Sequence, residues 1–187
     1  MRFLLKEGSE LSSESKAVAR EICEGARGEV PAPLRAWLIN PRFASMSQNL
    51  GQYLRFNSSL PRKLSELSIL CVAKFWGSPF EWEVHKKDAL KAGLSLDTID
   101  AIDLGSMPTF ESEIERLIYK FCTDTLEKKH VDDDTYQSLH SEIGEQGILD
   151  LIGIMGYYTL ISLTLNVLKI DQDVPPLRHS DLDSTPS

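Results

Sequence analysis

The run at residues 151–168, Leu-Ile-Gly-Ile-Met-Gly-Tyr-Tyr-Thr-Leu-Ile-Ser-Leu-Thr-Leu-Asn-Val-Leu, constrains this chain more than any other stretch. At helical period it is apolar nearly all round, so left bare it would form a larger patch than a soluble monomer tolerates. It is also long enough to cross a bilayer. Three observations oppose a membrane span: it is the only such run, its N-terminal side has no basic flank, and Glu145 and Asp150 precede it. The expectation is therefore a helix buried in a soluble bundle or in an oligomer interface, with no membrane partner. Residues 1–7 hold only three consecutive apolar residues after Arg2, too few for a signal-peptide core, so the cytoplasm is the expected location.

Helix signals dominate the remainder. Ser13 is placed to cap a helix running to Gly25, with Val18 and Ile22 inward. Val30-Pro31-Ala32-Pro33 breaks the chain before a short helix or turn over 34–39. Asn40-Pro41 then opens a helix whose apolar stripe is Met46, Leu50, Tyr53 and Leu54. Helices follow over 61–76 and 79–92, and Ser95 caps a short one ending before Gly105. A longer helix starts at Thr109, with Phe110, Ile114, Leu117, Ile118, Phe121 and Leu126 at helical spacing. A further segment from 131 to 143 ends at Gly144. With no useful strand-like alternation, the class is all-α. The 187 residues are expected to form one domain over 1–170. Residues 171–187, with three prolines, four aspartates and three serines, are expected to be a mobile acidic tail.

Charge and sulfur narrow the function. A net charge of −8 argues against nucleic acid as a partner. The three cysteines, Cys23, Cys71 and Cys122, form neither a CxxC pair nor a metal-ligand spacing. Cys71 and Cys122 sit in apolar helical runs, where a cysteine is usually a small buried hydrophobe. No HExxH, glycine-rich phosphate loop or GxSxG elbow is present, and Glu81 with His85 supplies only two potential ligands, so no metal is indicated.

Chemistry concentrates around Gly77-Ser78-Pro79-Phe80-Glu81-Trp82-Glu83-Val84-His85. Gly77 ends one helix, and Ser78-Pro79 starts the next as N-cap and first-turn proline. Glu81 and His85, four residues apart, project from one helix face. Glu66 lies in the preceding apolar helix among Leu67, Ile69, Leu70 and Ala73. A carboxylate in such company needs a partner or a proton. Two carboxylates and an imidazole converging there could move protons near neutral pH.

The same residues carry a resemblance. Leu64-Ser65-Glu66-Leu67-Ser68-Ile69-Leu70, the segment 77–85, and then Ala89 and Gly93-Leu94-Ser95 resemble the core of the carboxymuconolactone decarboxylase family. The AhpD-like alkylhydroperoxidases belong to the same superfamily. The resemblance is most specific over residues 61–102, and weaker likeness extends to Leu165-Asn166. It implies an AhpD-like helical domain with a central antiparallel helix pair and a homo-oligomer, often built on trimers. It also implies that His85 is the principal acid/base, that Glu66 orients or charge-stabilises it, and that Glu81 is a second acid/base or substrate ligand. Ser78 and Trp82 are then substrate-binding candidates. In the AhpD-like branch a CxxC pair occupies the positions of Ser78 and Glu81, so thiol peroxidase chemistry has no reagent here. The implied activity is cofactor-independent, non-redox decarboxylation of a small lactone or organic acid. The alternatives are isomerisation, dehydration or ring formation, or a non-catalytic oligomeric binding protein.

Overall fold

A computed structural model of the chain describes Arg2 and residues 5–183. It contains α1 (Ser13–Glu24), α2 (Ala32–Trp37), α3 (Pro41–Phe56), α4 (Arg62–Trp76), α5 (Pro79–Lys91), α6 (Leu96–Leu104), α7 (Glu113–Lys128), α8 (Asp133–Leu168) and α9 (His179–Leu182), plus a 3-10 turn at Gly8–Glu10. The class is all-α. Among the described residues the β content is a single isolated bridge, Val30 to Leu177. Contacts group the chain into two compact units, residues 58–162 and residues 1–57 with 163–187.

The unit at 58–162 is organised on α4, whose residues 64–73 are all buried. Gly77, at φ 55° and ψ 48°, stops α4 in the left-handed conformation that glycine adopts without penalty. The amide of Ser78 reaches back to the carbonyl of Ala73, at 3.0 Å. With so short a turn, α5 must fold back antiparallel along α4. The cross-helix pairs fix the register, Arg62 opposite Asp88 and Glu66 opposite His85. Ser59 anchors the approach to α4, donating its amide and hydroxyl to the buried carboxylate of Asp150, both at 2.7 Å. α7 packs on another side of α4, and Lys63 reaches the buried Glu115 at 2.7 Å. α7 begins at Glu113, later than Thr109, because Ser112 is the residue whose hydroxyl accepts from the first turn.

The apolar run lies in the second half of α8. Gly144, at φ 67° and ψ −179°, breaks the helix where the sequence predicts an end. Leu151, Ile154, Met155, Tyr157, Tyr158 and Ile161 are buried, whereas Leu149 and Ile152 are exposed. The run therefore has an inner and an outer face in the single chain. By length and composition alone this helix could cross a membrane.

In the other unit α1 packs on α3. Ser12, one residue earlier than expected, caps α1 by accepting from the amide of Ser15 at 3.1 Å. The inward face of α3 is Ala44, Ser47, Gln48, Gly51 and Leu54, while Met46, Leu50 and Tyr53 are exposed. Of the expected stripe only Leu54 points inward. The small residues let α3 approach its neighbours closely, and Gln48 donates to Glu21 at 2.8 Å. Residues 171–183 also differ from the expected mobile tail. Val30 and Leu177 exchange backbone hydrogen bonds at 2.8 and 2.9 Å, buried Arg35 donates to the Pro175 carbonyl at 2.7 Å, and Leu177 and Leu182 are buried. Two leucines and a captured carbonyl outweigh the polar composition of that stretch. Gly8 is required there, since a Cβ would sit 2.1 Å from the Asp181 carbonyl oxygen. Residues 184–187 of the expected tail, and Met1, Phe3 and Leu4 of the N-terminal segment, lie outside the described residues.

Candidate functional site

Glu66, Glu81 and His85 meet between α4 and α5. Glu66 is 0 % exposed, His85 2 % and Glu81 4 %. His85 Nδ1 lies 2.7 Å from Glu66 Oε2, and Nε2 lies 3.4 Å from Glu81 Oε2. The i, i+4 spacing on α5 brings Glu81 alongside His85, and the antiparallel register brings Glu66 across to it. The ring of Tyr158 meets the imidazole edge to face, with centroids 4.8 Å apart.

Burial by itself pushes the His85 imidazole down, because it penalises the charged form. The hydrogen bonds and charges of Glu66 and Glu81 outweigh that, and His85 titrates above its ordinary value. An ionised Glu66 offers only acceptors, so Nδ1 carries a hydrogen. Nε2 then faces a second carboxylate, that of Glu81, 3.4 Å away. This arrangement can hold, deliver and recover one proton out of bulk water.

Two charged groups complete the cluster. Arg62, four residues before Glu66 on α4, places its guanidinium 2.7 Å from Glu66 Oε1 and 3.3 Å from Asp88 Oδ2. Asp88, three residues after His85 on α5, also pairs with Lys91 at 3.3 Å. Sequence reasoning singled out neither Arg62 nor Asp88. The helical spacing rule that joined Glu81 to His85 would have found both had it been applied to Glu66 and His85 in turn. Tyr158, on a distant helix, had no such local signal. Glu66, His85 and Asp88 bring potential ligand atoms within 4.8 Å of one another, close enough for a metal ion. The Arg62 guanidinium already bridges the two carboxylates of that set, so the place for a cation is taken internally.

Ser78 precedes α5 with extended backbone, but its hydroxyl makes no capping bond. Its Oγ is buried without a hydrogen-bond partner among the described residues. The expected side-chain cap is therefore absent. Pro79 at the first helical position and the Trp82 amide bonded to the Ser78 carbonyl at 3.0 Å start the helix instead. Trp82 is buried on α5, while Glu83 and Lys87 are exposed and Lys86 is half-buried and paired with Asp100 at 3.1 Å. Cys71 and Cys122 are both free and buried. A hydrogen bond to Cys122, together with burial, pushes the Cys71 thiol well up, so it is protonated at neutral pH.

Comparison with known proteins follows the same lines. No curated protein matches the chain. A solved structure, that of an uncharacterized peroxidase-related protein from Silicibacter sp. TM1040, superposes with a TM-score of 0.72 at 15% sequence identity. The alignment covers 97% of this chain and 94% of that one, and at this identity the likeness shows a shared fold. The model of the carboxymuconolactone decarboxylase family matches residues 41–116, which contain Glu66, Ser78, Glu81, Trp82 and His85. The family model thus matches the stretch in which the resemblance was read in the sequence, and it spans less than half of the chain.

Proposed function

We propose that this protein is a cofactor-independent acid/base enzyme that decarboxylates a small lactone or related organic acid. The observation that carries the reading is the buried chain Glu66–His85–Glu81, with an imidazole held between two carboxylates and titrating above its ordinary range. Loss of carbon dioxide leaves an electron pair on carbon, which an unsaturated lactone can delocalise into its own carbonyl. His85 gives the proton from Nε2 to that carbon, closing the balance of one carboxylate and one proton in, one carbon dioxide and one new C–H bond out. Glu66 keeps the imidazole oriented through Nδ1, and Glu81 passes the next proton to Nε2. Ser78, with its unpartnered hydroxyl at the start of α5, is suited to receive a substrate oxygen. Trp82 would pack against the apolar part of the substrate.

The structural neighbour is a peroxidase-related protein, which raises peroxidase chemistry for this chain as well. Ser78 and Glu81 stand where a thiol pair would be needed, and the protonated, buried Cys71 is a poor nucleophile. The acid/base reading is therefore the stronger one. The same proton chain could serve isomerisation, dehydration or ring formation, all of which need an acid and a base near one carbon. The expected cellular location is the cytoplasm, and the expected assembly is a trimer-based homo-oligomer.

The test is a panel of unsaturated lactone acids incubated with the protein in deuterium oxide, with carbon dioxide release and deuterium at the product carbon as readouts. Both are expected for the wild type and lost in His85→Ala. Deuterium exchange without carbon dioxide would redirect the reading to isomerisation. Neither signal across the panel would favour a binding protein.

A further inference from the structure

We propose that Arg62 is a positioning residue of the His85 site, acting as its built-in cation. Its guanidinium, clamped between Glu66 and Asp88, balances the buried Glu66 carboxylate so that His85 can release its second proton more readily. The proposal rests on the acid/base reading above and deepens it, because it identifies what lets the imidazole cycle.

The geometry is a two-layer ladder across the α4–α5 hairpin. The inner rung is Glu66 to His85 at 2.7 Å, wholly buried. The outer rung is Arg62 to Asp88 at 3.3 Å, with the arginine side chain 38 % exposed. The uprights are intrahelical: Arg62 to Glu66 at 2.7 Å on α4, and His85 to Asp88 three residues apart on α5. Arg62 thus joins the buried pair to the surface, and Asp88 with Lys91 holds its outer end.

Charge counting gives the consequence. The groups facing His85 are Glu81 and Asp88 from α5, Glu66 and Arg62 from α4, and the ring of Tyr158 from α8. With the imidazole neutral, Glu66 and Glu81 alone would leave two uncompensated buried negative charges. Such a pair binds a proton tightly, and a tightly held proton is not returned to carbon. Arg62 reduces that deficit to one. A general acid is most effective when its titration lies near the working pH, and by offsetting one buried carboxylate Arg62 moves the site in that direction. A lysine could supply the charge. A neutral side chain could not, whatever hydrogen bonds it kept with Glu66.

The experiment is nitrogen-15 NMR of the histidine side chains, with the His85 signal identified by its loss in His85→Ala. Wild type, Arg62→Met, Arg62→Gln and Arg62→Lys are titrated. The neutral variants are expected to move the apparent midpoint of the coupled site upward by about one pH unit, a tenfold tighter proton. Arg62→Lys should restore the wild-type midpoint to within a few tenths of a unit. If Arg62→Met does not fold, Arg62→Gln carries the comparison, since its amide can still donate to Glu66. Wild-type titration in a folded neutral variant overturns the proposal, as does a Lys variant that behaves like the neutral ones. The readout needs no substrate, so its failure is separate from a failure to find decarboxylation.

Discussion

Replacing Glu66 by Gln changes one charge and almost no volume, in the most enclosed position of the site. Glu66 Oε2 sits 2.7 Å from His85 Nδ1, and both side chains are essentially inaccessible to water. With charge centres about 4 Å apart, opposite unit charges attract by roughly 4 kcal/mol at an effective dielectric of 20. That is equivalent to about 3 pKa units. The glutamine amide still offers its carbonyl to Nδ1–H and returns part of this, so the His85 midpoint should fall by about 1 to 3 units. Burial then weighs against Glu81 alone, and the imidazole titrates below its wild-type value. Stability follows with a defined sign. In the wild type the raised His85 titration contributes stability that is fully present below the unfolded value of about 6.5, and it is lost as pH rises through the folded value. In Glu66→Gln the folded value lies closer to the unfolded one, so that acid-side contribution shrinks. The stability gap between the two proteins should therefore be wider at pH 5 than at pH 8, by about 1 to 4 kcal/mol in urea unfolding. A gap that is equal at both pH values, with an unmoved imidazole signal, would refute the claim that Glu66 controls the charge of His85.

Four further outcomes are expected. On a turned-over substrate, His85→Ala should lose about a hundredfold to ten-thousandfold in rate, and Cys71→Ser should lose almost none. Robust peroxide consumption with a dithiol reductant that depends on Cys71 would return the chain to thiol chemistry. Native alkylation followed by mass spectrometry should label Cys23 before the buried Cys71 and Cys122, even though burial pushes the Cys23 thiol up; prompt labelling of Cys71 would contradict its protonated, packed state. Gly144→Ala meets no atom within 4 Å but must adopt φ 67°, so urea unfolding should show a loss of about 1 to 3 kcal/mol from backbone strain alone. Light scattering should give a mass above that of one chain, and Leu50→Glu, on the exposed stripe of α3, should reduce it; an unchanged mass would place self-association elsewhere.

What could be read from the sequence depended on whether the signal was local. Gly77 followed by Ser78-Pro79 allows little besides a tight antiparallel reversal, and that reversal puts Glu66 opposite His85. The all-α class and the meeting of Glu66, Glu81 and His85 follow from a helical period and one turn. The inward face of α3 was misread for the opposite reason. Met46, Leu50 and Tyr53 score as core by hydropathy, yet close packing selected Ala44, Ser47 and Gly51, and no sequence rule reports the distance between helices. The same holds for residues 171–183. Composition describes an average environment, whereas the placement of Leu177 turns on two backbone hydrogen bonds to Val30 and one carbonyl given to Arg35.

The charge pattern of the site holds more polar groups than a merely structural cluster needs. A buried ion pair kept only for stability needs equal and opposite charges, and Glu66 with Arg62 would satisfy that. A buried histidine kept only for packing needs one acceptor, and Glu66 satisfies that too. Glu81 is left over by both accounts. It adds a third buried ionisable group 3.4 Å from Nε2, at a desolvation cost that neither the Arg62 pair nor the His85 hydrogen bond requires. Ser78 adds a buried hydroxyl with no partner, again a cost without return in the single chain. Both surplus groups are on α5, one in its first turn and one immediately before it. Excess polar groups concentrated at one helix start are expected where a polar ligand is to be received, because the ligand supplies the missing partners and recovers the cost. The balanced half of the cluster, Arg62 with Glu66, lies on α4 and holds the imidazole. The unbalanced half lies on α5 and is where a substrate oxygen would complete the set.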